Sequence, residues 1–94
     1  MSHPLQPLIA PCAPNCPSIT DYDRCHFLTY ARLVFAGDAG EDWRLSARRI
    51  LGLDIEQDEK AAHRCWQSHS KRAEWIATEG YQLLLIQVGI TKAH

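Results

Sequence analysis

Proline is confined to one end of this chain. All five prolines fall between Pro4 and Pro17, and none follows Asp21. Residues 1–20 also carry no Asp, Glu, Lys or Arg. Proline locks φ and removes an N–H donor, so residues 1–19 are expected to be neither helix nor central strand. They are expected to form a flexible arm, with a single domain over residues 20–90. The whole chain has 94 residues, room for one core only.

Composition narrows the function classes. Hydrophobic residues make up 46% and charged residues 22%, which fits a folded domain. Ten Lys+Arg stand against eleven Asp+Glu, a net charge of −1. That balance excludes a polybasic nucleic-acid coat protein and an acidic solvating tail. The longest apolar run, Leu83 to Ile86, is too short to cross a bilayer. No basic segment followed by a continuous apolar stretch opens the chain, so no signal peptide is expected. The expected compartment is the cytoplasm, where four cysteines are expected as thiols.

The domain reads as helix throughout, an all-α class. Thr20 and Asp21 suit a helix start and Gly37 a stop, with Phe27, Tyr30, Ala31 and Val34 as the apolar stripe. A second helix starts at Glu41–Asp42, buries Trp43, Ala47 and Ile50, and ends at Gly52. A third and longer helix begins near Asp58. Ala62, Trp66, His69, Ala73, Ile76 and Ala77 share one face of it, and Gly80 closes it. Tyr81 to Val88 is expected as a fourth helix, because no partner strand exists for it. A short helix, a Gly-containing turn over residues 52–57 and a longer helix make a helix-turn-helix-like outline.

Candidate chemistry is sparse. Cys12 and Cys16 form a C-x3-C pair, and Cys25-His26 follows. Zinc needs four converging ligands, and neighbours on a helix diverge by about 100°, so no metal or other cofactor is expected. Cys65 and His69 read as core residues of the third helix. His63 has no nucleophile in a triad context, and the five glycines form no phosphate loop, so no catalytic residues are expected.

The helix-turn-helix outline suggests DNA, but the charge opposes it. The edge that would enter the major groove carries Asp54, Glu56, Asp58 and Glu59. Arg44, Arg48, Arg64 and Lys71 are the residues a DNA-binding regulator would use. Trp75 falls among Arg64, Ser68 and Lys71 on a polar face. A large aromatic there is either covered by the same chain or a partner contact, and Tyr81 shares that ambiguity.

Scattered residues resemble a known family. Tyr22-Asp23-Arg24 with Phe27-Leu28-Thr29-Tyr30-Ala31-Arg32-Leu33 resembles its opening helix. Asp42-Trp43-Arg44, Ala47-Arg48 and Ile50-Leu51-Gly52-Leu53-Asp54 resemble its second helix and turn. Ser68-His69, Arg72-Ala73, Trp75 and Gly80-Tyr81 with Leu83-Leu84 resemble its close. The family is that of small bacterial antiactivators of the QseM type, and the match covers about residues 20–86. The resemblance implies a helix-turn-helix-like fold that binds transcriptional activators of excision and conjugative transfer. The implied targets are a LuxR-type, TraR-like quorum-sensing regulator and an FseA-like activator. Asp54, Glu56, Asp58, Glu59, Trp75 and Tyr81 are then the expected partner contacts, with no direct DNA binding.

Overall fold

The computed structural model describes residues 8–80. The fourth helix expected over Tyr81–Val88 lies outside the described residues, as does Tyr81. The described chain is four helices, with no strand among these residues: α1 (Asp21–Cys25), α2 (Phe27–Asp38), α3 (Trp43–Arg49) and α4 (Glu59–Trp75). A π-helical turn, Ile76–Gly80, continues α4.

The caps fall where short polar side chains permit. The Asp23 N–H donates to Thr20 Oγ1 and the Thr20 N–H returns to Asp23 Oδ2, a reciprocal box that starts α1. Asp42 Oδ2 accepts from the Arg44 N–H at the head of α3. Asp58 Oδ1 accepts from the Ala61 N–H at the head of α4. After α3 the chain reverses at Gly52, whose φ of +68° favours a residue without Cβ. This lets the Gly52 and Leu53 N–H groups reach back to the Arg48 and Ala47 carbonyls.

The expected first helix is interrupted at His26. Its ring Nδ1 lies 2.7 Å from the Tyr22 carbonyl, the acceptor that its own N–H would use in a continuous helix. The His26 N–H turns instead to the Asp23 carbonyl. A side chain has replaced a backbone donor, and the axis breaks between α1 and α2.

The stripe expected on α2 is rotated. Thr29, Tyr30, Leu33 and Ala36 are buried, whereas Ala31 is exposed and Phe27 and Val34 are half-buried. The Tyr30 hydroxyl donates to Asp23 Oδ1 at 2.8 Å, so α2 must turn Tyr30 inward and bring Leu33 with it. On α4 the expected face is buried at Ala62, His69, Ala73 and Ile76, with Cys65 among them. Ala77, at its end, is exposed.

The core has two parts. Ile19, Tyr30, Leu33, Ile50, Leu51 and Cys65 belong to the larger cluster, and Ala47, Ile55 and Ala62 form the smaller one. Trp66 and Leu53 pack against both and join them.

The described end of the expected free arm lies along α4. The Ala10 N–H donates to Tyr22 Oη, and the Ala13 N–H donates to Ser68 Oγ at 3.0 Å. The Cys65 thiol donates to the Ala10 carbonyl, and Arg72 donates to the carbonyls of Cys16 and Ser18. Proline spares this segment the burial of several N–H donors. Its remaining carbonyls then become acceptors for α4 side chains.

Candidate protein-interaction surfaces

The α3–α4 edge was expected to repel DNA with its four carboxylates and to supply contacts to a partner protein. Each of the four has a structural engagement. Asp58 caps α4, and Asp54 Oδ1 accepts from the Gln57 N–H in the turn before it. Glu56 pairs with Arg48 at 3.0 Å, and Glu59 pairs with Arg44. Glu41 takes up Arg49 at 2.8 Å, and its carboxyl is held below its ordinary value, chiefly by the Ser46 hydroxyl. The basic cluster of α3 therefore faces neighbouring acids rather than solvent alone. These pairs are exposed and worth little each, but they offset Glu56 and Glu59 against Arg48 and Arg44, so the edge does not present the uniformly acidic face that a basic partner would need.

Trp75 is half-buried. The Arg72 guanidinium lies over its ring, 4.3 Å from the centroid. Arm residues Pro14, Asn15 and Pro17 line an open pocket of about 370 Å³ beside it, together with Lys71. Of the alternatives left open for Trp75, the described structure places part of its own chain against it, with one side left to the pocket.

Behind Trp75 lies a buried ion pair between residues 49 apart in sequence. Arg72 Nη2 donates to Asp23 Oδ2 at 2.6 Å and Nε to Oδ1 at 3.1 Å. Both side chains are almost completely buried, at 4% and 0% exposure. Burial pushes the Asp23 carboxyl up, but hydrogen bonds from Arg72, Thr20 and Tyr30 outweigh it, and the net shift is downward. The hydrogen bonds to Asp23 hold Arg72 above its ordinary value. Tyr30, buried and bonded to a carboxylate, is pushed far above a normal phenol.

A second buried chain runs alongside. The Ala10 N–H donates to Tyr22 Oη, whose hydroxyl donates to His69 Nε2 at 2.6 Å. His69 Nδ1–H in turn donates to the Cys65 carbonyl at 2.7 Å. Every member is satisfied with His69 neutral, and burial lowers its pKa. Burial also raises the Cys65 thiol. Thus Tyr22, Asp23, His69 and Arg72, all among the residues that carried the resemblance, hold the described fold together from inside.

One surface was missed in the sequence. Leu28 and Phe35 stand on the outer face of α2 at 64% and 75% exposure, with exposed Ala31 between them. Seven residues make nearly two full turns, so all three lie on one stripe. The signal was present in that spacing, but it could be told from the core stripe only once Tyr30 had set the rotation. His63, by contrast, packs edge-on against Trp43, with ring centroids 4.7 Å apart. No helix among the described residues is long and apolar enough to cross a membrane.

Comparison with known protein families, with curated proteins and with solved structures finds no match for this chain.

Proposed function

We propose that this chain is a non-enzymatic antiactivator, acting in the cytoplasm. It binds transcriptional activators of the LuxR type (TraR-like) and the FseA type, and so represses excision and conjugative transfer of a mobile element. In this reading α3, the turn and α4 are a helix-turn-helix-like pair that is not used to read DNA. The family resemblance supplies the class of partner.

The observation that carries protein contact is the outward stripe of Leu28, Ala31 and Phe35. Exposed large apolar side chains grouped on one helix face mark interaction surfaces, and burying either Leu28 or Phe35 is worth about 1.5–3 kcal/mol. The paired charges of the α3–α4 edge support the same choice over DNA. The contact surface is therefore proposed to centre on α2, with the acids at positions 54, 56, 58 and 59 at most a rim.

The test is co-purification of the tagged full chain with the activators encoded on the same element, after nuclease treatment. A stoichiometric complex is expected, and Leu28→Glu with Phe35→Glu is expected to abolish it while the helical signal survives. Absence of a complex, with random duplex retained at low salt and lost steeply as salt rises, would put a DNA-binding regulator in its place.

A further inference from the structure

The heads of α3 and α4 form a shallow cup of about 470 Å³ lined by Trp43, Arg44, Glu59, Lys60, His63 and Arg64. Its floor is aromatic. Trp43 meets His63 edge-on at 4.7 Å, and Trp66 backs both rings at 5.8 Å and 5.6 Å. Its rim is cationic. Arg44 lies over the Trp43 ring at 4.9 Å, while Lys60 and Arg64 are exposed. Three cations against the single carboxylate of Glu59 leave the rim with two positive charges in excess.

We propose that this cup seats an acidic side chain of the partner protein, with an apolar neighbour of that side chain lying on Trp43. The inference rests on the protein-binding reading above and adds a second contact, on a different face from α2. Trp and Arg are the side chains most enriched where binding energy concentrates. A carboxylate entering the cup meets the excess charge of Lys60 and Arg64 beside the half-buried rings of Trp43 and His63.

Charge also separates this occupant from nucleic acid. Outside the cup the same edge continues into Glu56, Asp58 and Asp54, all exposed. A phosphate ladder longer than the cup would run over those carboxylates, whereas one acidic side chain would not.

The test uses the isotope-labelled full chain and reads the indole N–H of Trp43 by NMR. The probes are the blocked peptide acetyl-Leu-Glu-Phe-Glu-amide, its Gln counterpart acetyl-Leu-Gln-Phe-Gln-amide, inorganic phosphate and a random-sequence DNA duplex. The acidic peptide is expected to shift the Trp43 signal and to bind about tenfold tighter than the Gln peptide. Lys60→Glu with Arg64→Glu, both at exposed positions, is expected to erase the shift with the helical signal unchanged. Equal binding of the two peptides, an equal response to phosphate alone, or a duplex response that falls steeply with salt would each overturn the proposal. Carried into the co-purification, the same double variant separates the two readings. If it still captures activator at full strength, the cup has no part in the complex while the antiactivator reading stands. If the wild-type chain captures no activator, the antiactivator reading fails, and the peptide titration still decides the cup.

Discussion

Asp23→Asn exchanges one carboxylate oxygen for an NH2 group at the most buried carboxylate among the described residues. Five hydrogen bonds converge on that carboxylate, from the Thr20 N–H, the Thr20 hydroxyl, the Tyr30 hydroxyl and Arg72 Nε and Nη2. The amide keeps one acceptor and turns a donor toward the other donors. The larger effect is on Arg72, whose side chain is 4% exposed and would retain its charge with no counter-ion. Breaking a buried pair in this way costs about 3–5 kcal/mol. At about 4–8 °C per kcal/mol for a domain of this size, the melting temperature should fall by at least about 12 °C. At the lower end of the usual range of about 5–15 kcal/mol, that loss would bring the fold close to its limit.

The assay is urea denaturation followed by far-UV circular dichroism, with tryptophan emission recorded in parallel. Trp75 reports on the position of Arg72, which lies over its ring. Asp23→Leu combined with Arg72→Met and Tyr30→Phe, which also removes the buried hydroxyl that would lose its acceptor, provides the internal control. Removing both charges should restore much of the stability lost in Asp23→Asn. The carbonyls of Cys16 and Ser18 would lose the Arg72 donors, but Ser18 is exposed and Cys16 half-buried, so water can replace them. A loss below about 1 kcal/mol in Asp23→Asn would refute the reasoning, because it would mean that the pair is solvated rather than buried.

Three further outcomes are expected. Burial depresses the pKa of His69, so between that lowered value and about pH 6.5 the unfolded chain binds a proton that the folded chain does not. Stability is full above about pH 6.5 and declines on acidification, and the depressed Asp23 adds a second decline below about pH 4. Urea midpoints at about pH 7.5, 5.5 and 3 should fall in that order, and equal midpoints would contradict the assignment of His69 as a buried neutral ring. Gly52→Ala should cost about 1–2 kcal/mol, entirely from backbone strain, since an added Cβ meets nothing within 4 Å. A thermal melt of Gly37→Ala, at negative φ and equally open, should show no such loss. Asp58→Ala should cost about 0.5–2 kcal/mol through the lost cap of α4, whereas Asp58→Asn should cost much less. Similar losses in both would show that the charge matters rather than the hydrogen bond.

How much of this was legible in the chain follows from the reach of each interaction. Thr20, Asp42 and Asp58 announce helix starts because a cap bonds to an N–H two or three residues away. Ala62, His69 and Ala73 announce the buried face of α4 because one long helix repeats its period several times. Gly52 announces the turn through its own φ. The proposed surfaces were less legible. Asp54, Glu56, Asp58 and Glu59 could be read as an acidic edge, but not as the partners of Arg48, Arg44 and two local N–H groups.

Sequence alone thus determined the helical class, the starts of α1, α3 and α4, and the near-neutral charge, all properties of single residues or near neighbours. Tertiary structure decided the break at His26, the rotation of α2 that leaves Leu28 and Phe35 outside, and the docking of residues 8–19 along α4. It also decided the joining of Asp23 to Arg72 and of Tyr22 to His69. These depend on contacts between groups far apart in the chain, such as Leu8 with His26 or Cys16 with Arg72. No local rule ranks such pairs until the hydrophobic faces have closed and a buried polar group must find whichever partner the packing brings within reach.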